Sequence, residues 1–225
     1  MSTLRHAVRI ARKDLRIELR VRDVLGAVAL LALLIIAVAS FSLPTTGPDR
    51  EGVAAGLLWI AFLFSILLGV GRALAAEHED RCIDALAVSP VARESIFLGK
   101  LLSTLAVVGV AQALIVPLAV VLLGLQPAGG LPLLLATIGL GTVALVSVST
   151  LFSAMAVNTR GREAVLPVFV VPLAIPVMIA AVQASEVALV GGGIAEAGGW
   201  LGLLTGSAVL FVALGLLTFR HVLEE

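Results

Sequence analysis

Six long apolar runs constrain this chain more than any other feature of its sequence. Each run holds about 20 residues or more, which is the length that an α-helix needs to cross a hydrocarbon core ~30 Å thick. The runs do not alternate between apolar and polar residues with the period of two that barrel strands need. They are Val24–Leu43, Val53–Ala76, Leu101–Leu125, Leu131–Val157, Ala164–Gln183 and Trp200–Phe219. The sequence therefore predicts an all-α membrane protein with six transmembrane helices.

Composition agrees with this class. Charged residues make up 13% of the chain, whereas soluble domains carry about 25%, and the mean hydropathy is +1.14. The one cysteine, Cys82, excludes an intrachain disulfide bond. Because little of the chain lies outside the apolar runs, we expect any ATPase or periplasmic domain to belong to another protein.

The leader, residues 1–23, has the pattern of an amphipathic helix over residues 3 to 22. On a helical projection, six basic side chains fall within an arc of about 100° and apolar side chains cover the opposite face. The six are Arg5, Arg9, Arg12, Lys13, Arg16 and Arg20. Such a helix lies in the headgroup plane against anionic lipid. It serves either as a positive-inside anchor or as a lever that also contacts a cytoplasmic partner.

Basic residues concentrate on one side of the predicted membrane. Seven Lys or Arg precede the first run, four lie in the 72–100 interval, two lie in the 158–163 loop and Arg220 follows the last run. On the other side only Arg50 is basic. The positive-inside rule therefore predicts that both termini of this multi-pass chain are cytoplasmic.

The fifth run contains three prolines, Pro167, Pro172 and Pro176. Each removes a backbone donor and clashes with the preceding turn, so this helix is predicted to be kinked or broken. The kink is either static or a hinge that lines a cavity. The interval 184–199 that follows is apolar for an exposed loop, and we expect it to form a short re-entrant or interfacial helix-turn.

The sequence contains little evidence of a catalytic site. All three histidines, His6, His78 and His221, fall on the predicted cytoplasmic side, away from any intramembrane carboxylate. Gly99-Lys100 resembles the end of a phosphate loop, but Glu94 and Leu101 stand where that motif needs Gly and Ser or Thr. The chain is therefore predicted not to be an enzyme, and an intramembrane enzyme ranks last among the alternatives.

The longest polar interval, residues 72–100, is the predicted functional site. Residues 77–88 have helical composition, and Ser89-Pro90 has the pattern of an N-cap and first-turn proline that restart a helix. Arg72 and Lys100 are predicted to hold the base of this loop. Its predicted partner-binding residues, within a coupling loop 77–99, are Glu77, Glu79, Asp80, Ile83, Leu86, Ser89 and Pro90. Such a helix can enter a groove of a cytoplasmic partner, although an ordinary connecting loop is the alternative.

The order of several short motifs resembles the haem exporter protein B (CcmB) family over nearly the whole chain. The motifs are Trp59 to Phe64, Arg72, Glu77 to Asp80, Leu86-Ala87-Val88-Ser89-Pro90, Ile96-Phe97-Leu98-Gly99-Lys100, Asn158 to Glu163, Leu166-Pro167, Val171-Pro172-Leu173 and Ile175-Pro176-Val177. Members of this family are permease subunits of an ABC-type complex in cytochrome c maturation. The resemblance implies an ABC-2-like permease in a bacterial inner membrane, with a domain 24–225 of six helices after the leader.

The resemblance also implies partners. They are two copies of an ATPase subunit (CcmA-like), a haem-handling membrane protein (CcmC-like), a small accessory span (CcmD-like), a haem chaperone (CcmE-like) and a second copy of this chain. No nucleic-acid partner is expected. ATP would be bound by the partner ATPase and haem handled by the complex, and no cofactor is expected on this chain directly.

The predicted function is that of a permease subunit that couples ATP hydrolysis to haem handling or to release of haem-loaded chaperone. ATPase closure would push on the 77–90 helix and tilt the second and third spans. One alternative is an ABC-2 permease for another cargo, such as a lipid or a drug. Another is a membrane scaffold that anchors the ATPase without transport.

Overall fold

The computed structural model describes residues 11–12, 22–42, 49–79, 93–156 and 162–222, and every regular element in them is helical. The six long helices are α1 (Arg22–Ser42), α2 (Arg50–Glu79), α3 (Arg93–Leu123), α4 (Leu131–Ala156), α5 (Arg162–Val190) and α6 (Ile194–Val222). Helices α2 to α6 are long and apolar enough to cross a membrane, and α1 contains a shorter apolar segment, Gly26–Phe41. The predicted all-α membrane class is confirmed, while the sixth crossing stays a prediction.

The helices run up and down between two ends of the bundle. At one end, which we call the turn end, short connections join α3 to α4 and α5 to α6. There the Arg50 side chain donates a 2.7 Å hydrogen bond to the Leu123 carbonyl, and the Gly129 N–H donates to the Ala188 carbonyl. At the other end, the loop end, α2 ends at Glu79 and α3 begins at Arg93. The halves of the bundle nearest these ends are called the turn half and the loop half.

Helix α4 forms the centre of the bundle. It packs against α2, α3, α5 and α6, and 61% of its most apolar window is buried, against 22% for α6. Its buried positions are rich in small and hydroxyl-bearing residues, which allow helices to approach closely in a membrane. Those residues are Gly141, Thr142, Ala144, Ser147, Ser149, Thr150 and Ser153. These small and hydroxyl-bearing residues therefore let α4 pack closely against its neighbours.

Helix α1 lies at the edge of the bundle, against α2 and α3. Its buried side chains, Val28, Ala32, Ile36 and Ala39, recur every three or four residues and so form one stripe along the helix. The predicted amphipathic leader before it lies almost entirely outside the described residues.

The predicted re-entrant segment at 184–199 is wrong. Helix α5 continues to Val190, and after a turn at 191–193 α6 begins at Ile194. Gly191 makes this turn possible because its φ of 104° lies in the left-handed region. The apolar character of the interval comes from packing, since Ala184, Ala188 and their neighbours are buried within the bundle.

The proline-rich helix was predicted to be kinked or broken, and a break is wrong because α5 is one continuous helix through Pro167, Pro172 and Pro176. A kink in α5 stays a prediction. Each proline removes one donor, and the remaining backbone bonds carry the helix past it. Pro172 and Pro176 are exposed on this chain rather than buried. The opposite face holds the helix in place through the buried residues Val170, Ala174, Val177, Ala181, Ala184 and Ala188. A hinge or cavity role for the three prolines stays a prediction.

Candidate functional site

The two sides of the predicted coupling loop are built differently. The apolar run of α2 ends at Ala76, and the helix continues for one acidic turn to Glu79. Three further helical residues extend it by about 4.5 Å at 1.5 Å per residue. On the other side, α3 begins at Arg93, and Ser95 and Phe97 in its first turns are already buried. The loop therefore begins at the charged end of a helix and returns directly into the packed interior.

The predicted site residues divide between the described and undescribed parts of the chain. Glu77 and Glu79 lie in the last turns of α2, and Arg72 lies in the same helix. The structure describes their backbone and not their side chains. Lys100 is a half-buried residue of α3 whose carbonyl accepts a 2.9 Å hydrogen bond from the Ser103 hydroxyl. The remaining predicted partner-binding residues, Asp80, Ile83, Leu86, Ser89 and Pro90, lie outside the described residues.

Phe97 packs the first turns of α3, where the loop re-enters the bundle, against α6. Its side chain is completely buried, and the tip of its ring lies directly against Gly215 of α6. A methyl group added at Gly215 would overlap the Phe97 ring. Only glycine leaves room for this approach, so the first turns of α3 and the end of α6 are in backbone-to-ring contact. The sequence motif around Phe97 drew attention to this segment, but nothing in the pattern pointed to Gly215.

Two hydroxyl groups in the loop half are buried without a hydrogen-bond partner. They belong to Ser95, two residues before Phe97, and to Thr150 of α4. A buried polar group that lacks a partner is uncommon in native proteins and costs free energy. The loop half thus contains polar groups that this arrangement of the helices does not satisfy.

In the turn half, polar side chains join helices directly. Trp59 of α2 donates from Nε1 to the Ser185 hydroxyl of α5 at 2.9 Å, and its ring covers Gly141 of α4. Gln112 of α3 donates to the Thr142 hydroxyl of α4 at 2.7 Å. Hydrogen bonds of this kind hold membrane helices together where the surrounding lipid offers no partner. These residues link α2, α3, α4 and α5 into one unit.

The turn end carries charged groups that sequence reasoning placed in a loop. The Glu186 carboxylate lies over Gly52, where an added Cβ would be 3.0 Å from its Cδ. Gly52 belongs to the first turn of α2, whose free backbone N–H groups and helix dipole favour a negative charge. Arg50 covers Gly124, which has a φ of 64°. Glu186 is a packing residue because α5 extends to Val190, beyond the end of the fifth apolar run.

The described interior is suited to helix packing. Its buried polar side chains belong to Ser, Thr and Gln, with Gln112 the one amide among the hydroxyls. Hydroxyls and amides form hydrogen bonds between helices, whereas iron in haem takes imidazole, thiolate, thioether or phenolate ligands. Within the described residues, no group of three or more His, Cys, Asp or Glu side chains is placed to hold a metal ion.

Comparison with known proteins gives a consistent result. The family model described as CcmB protein matches residues 5–224. The chain is 30% identical over 167 residues to heme exporter protein B of Rhodobacter capsulatus, covering 74% of this chain and 76% of the relative. It is 31% identical to the protein of that name from Paracoccus denitrificans, over 76% and 78%. It is 32% identical to the Bradyrhizobium diazoefficiens protein of the same name, over 81% and 82%.

Proposed function

The chain belongs to the CcmB family, and from this membership we propose that it is the permease subunit of an ABC-type haem exporter used in c-type cytochrome biogenesis. The observation that supports the coupling part of this proposal is that α2 continues past its apolar run into an acidic turn that ends at Glu79. A helix whose charged end lies at the membrane surface leaves the residues that follow within reach of a protein there. The relatives' names supply haem as the cargo.

The motor is a separate ATPase subunit. Ile83 and Leu86 form the apolar contact with it, and Ser89-Pro90 shape the turn behind them. Glu77, Glu79 and Asp80 provide the acidic rim, and Arg72 and Lys100 hold the base of the loop. Closure of the ATPase pushes this element and tilts α2 and α3. The chain itself binds no cofactor, since the partner holds ATP and the complex handles haem or releases a haem-loaded chaperone.

The membrane arrangement follows from the charge pattern. The chain is a multi-pass protein of the bacterial inner membrane with both termini cytoplasmic, so the loop end faces the cytoplasm and the ATPase. Its membrane partners are a haem-handling protein and a small accessory span, together with a second copy of this chain. A pull-down from native membranes, with ATPase and haem assays on the eluate, identifies which of these partners the complex contains.

The test is to replace Ile83 and Leu86 together by aspartate. Two charges in an apolar contact carry a desolvation cost, so we expect the ATPase to be lost from the purified complex while the permease still inserts into the membrane. The matched control is Ile83→Leu with Leu86→Ile, which keeps the contact apolar and should retain the ATPase. Unchanged co-purification of the ATPase with the aspartate pair would exclude this contact. A complex that assembles but shows no ATP-linked change in its spans would instead indicate a scaffold.

A further inference from the structure

Phe97 occupies an unusual position between the predicted coupling element and α6. It lies four residues after the start of α3, and its buried ring ends on the backbone of Gly215. We propose that Phe97 is a positioning residue that transmits ATPase-driven movement of the coupling loop into α6. This inference rests on the proposed function, because it assumes that the ATPase acts on the loop end. It assigns α6 as the helix that responds.

The contact is too close to be an ordinary packing neighbour. The atoms nearest to an added Cβ at Gly215 are Cζ, Cε1 and Cε2 of Phe97, the outer edge of the ring. The ring is therefore inserted end-on against the α6 backbone, with no side chain of residue 215 in between. Close packing transmits displacement because neither the ring nor a helix backbone can be compressed. A movement of the first turns of α3 must carry α6 along or open this contact.

Helix α6 is held mainly on one side. It packs most extensively on α4 and also contacts α3 and α5, yet 22% of its apolar window is buried, the lowest share among the five long apolar helices. Its contacts follow one stripe, in which Leu204, Ala208, Phe211 and Gly215 recur every three or four residues. Phe97 presses on Gly215, in the loop half of the helix. Pressure there acts on the part of α6 that is farthest from its fixed turn at 191–193.

The surroundings of Phe97 also allow movement. The neighbouring Ser95 hydroxyl is buried without a partner, as is that of Thr150. A second arrangement of the loop half can therefore gain hydrogen bonds that the present one lacks. This fits a segment with two arrangements, one of which the motor favours.

The experiment uses the full complex with Phe97→Ala. We expect the ATPase to co-purify and to hydrolyse ATP at close to the wild-type rate, while holocytochrome c formed in cells falls about tenfold, within the range of coupling between distant sites. The matched control is Phe62→Ala, which removes an equally buried ring from α2 in the turn half. In that variant cytochrome yield should follow the amount of folded complex, with no extra loss per ATP hydrolysed.

A compensating pair sharpens the test. Gly215→Ala alone should also separate ATP hydrolysis from cytochrome formation, because its methyl group displaces the ring. Adding Phe97→Leu removes the outer ring atoms and should restore part of the yield. If the Gly215→Ala protein fails to accumulate, the Phe97→Ala variant still tests whether Phe97 transmits the movement. Cytochrome formation in Phe97→Ala that matches wild type, or falls only with complex abundance, would overturn the role of Phe97. Failure of wild-type chain to bind the ATPase would instead contradict the proposed function.

Discussion

Trp59 in the turn half and Phe97 in the loop half use the same packing device with opposite consequences. Each is a completely buried aromatic ring pressed onto a glycine of a distant helix. Trp59 also donates a hydrogen bond to Ser185 and meets Phe62 edge-on at 5.4 Å, so its orientation is fixed from three sides. Phe97 lies close to Ser95, whose buried hydroxyl has no hydrogen-bond partner. The two rings thus differ in how far the polar groups around them are satisfied, and this difference is the basis for proposing a fixed turn half and an adjustable loop half.

The wider surroundings follow the same division. In the turn half, Gln112 bonds to Thr142 and Arg50 bonds to the Leu123 carbonyl. In the loop half, the buried hydroxyls of Ser95 and Thr150 lack partners. Interhelical hydrogen bonds specify one arrangement, whereas unsatisfied groups leave an alternative arrangement accessible. In the proposed mechanism, the turn half is the pivot against which the loop half moves.

The largest effect on stability is expected for Trp59→Ala. Removing this ring leaves a cavity beside Gly141 and removes the donor to Ser185, which should cost about 3–5 kcal/mol in the free energy of unfolding. Denaturant titration of the purified protein in detergent measures the loss. Because Trp59 is structural, cytochrome formation should decline only in proportion to folded protein. A Trp59→Ala protein that stays folded but loses coupling would remove the contrast with Phe97.

A smaller effect is expected for the hydrogen bond itself. Trp59→Phe, Ser185→Ala and the double variant form a cycle that isolates the bond between these two residues. Interhelical bonds in membrane proteins average about 0.6 kcal/mol and reach about 1.7 kcal/mol, and burial places this bond toward the upper part of that range. Unfolding titrations of the four proteins give the coupling energy. A coupling energy of zero would mean that Trp59 is held by packing alone.

The smallest effects are expected for Ser95→Ala and Thr150→Val. Each change removes a buried hydroxyl that has no partner, so stability should be unchanged or higher by up to about 1 kcal/mol. The same changes should reduce ATP-linked cytochrome formation if the hydroxyls find partners in the second arrangement. Loss of stability in either variant would show that its hydroxyl is bonded in the resting protein, and the two halves would then be alike.

The sequence predicts the helices well and their contacts poorly. Hydropathy places all six apolar runs within the observed helices or a few residues of them, because exclusion from water acts on each run separately. It could not find Gly215 beneath Phe97 or Ser185 beside Trp59, a pair 126 residues apart. The spans are apolar on nearly all faces, so periodicity does not reveal which side is buried.

The two corrected predictions have the same cause. The 184–199 interval was expected to form a short re-entrant or interfacial helix-turn because it is apolar for an exposed loop. In the fold, Glu186 lies against the first turn of α2 at Gly52, and α5 continues past it. The prolines were expected to kink or break α5, and the break does not occur because packing along the opposite face preserves the helix. Tertiary contacts determine both the length and the continuity of α5, and such contacts cannot be read from the local sequence.

The most direct measurement compares two distances in the assembled complex, with spin labels on cysteines introduced after Cys82→Ser. One pair, Val168 and Leu217, spans α5 and α6 in the loop half. The other, Val53 and Ile194, spans α2 and α6 at the turn end, and all four side chains are exposed. When the ATPase is trapped with nucleotide and vanadate, the loop-half distance should change by more than about 2 Å, a shift larger than small helix adjustments at interfaces. The turn-end distance should stay constant, and Phe97→Ala should abolish the loop-half change. The account would be contradicted if both distances changed equally, because the turn half would then not be fixed. It would also be contradicted if the loop-half distance stayed the same with and without nucleotide, because the ATPase would then not move the loop half.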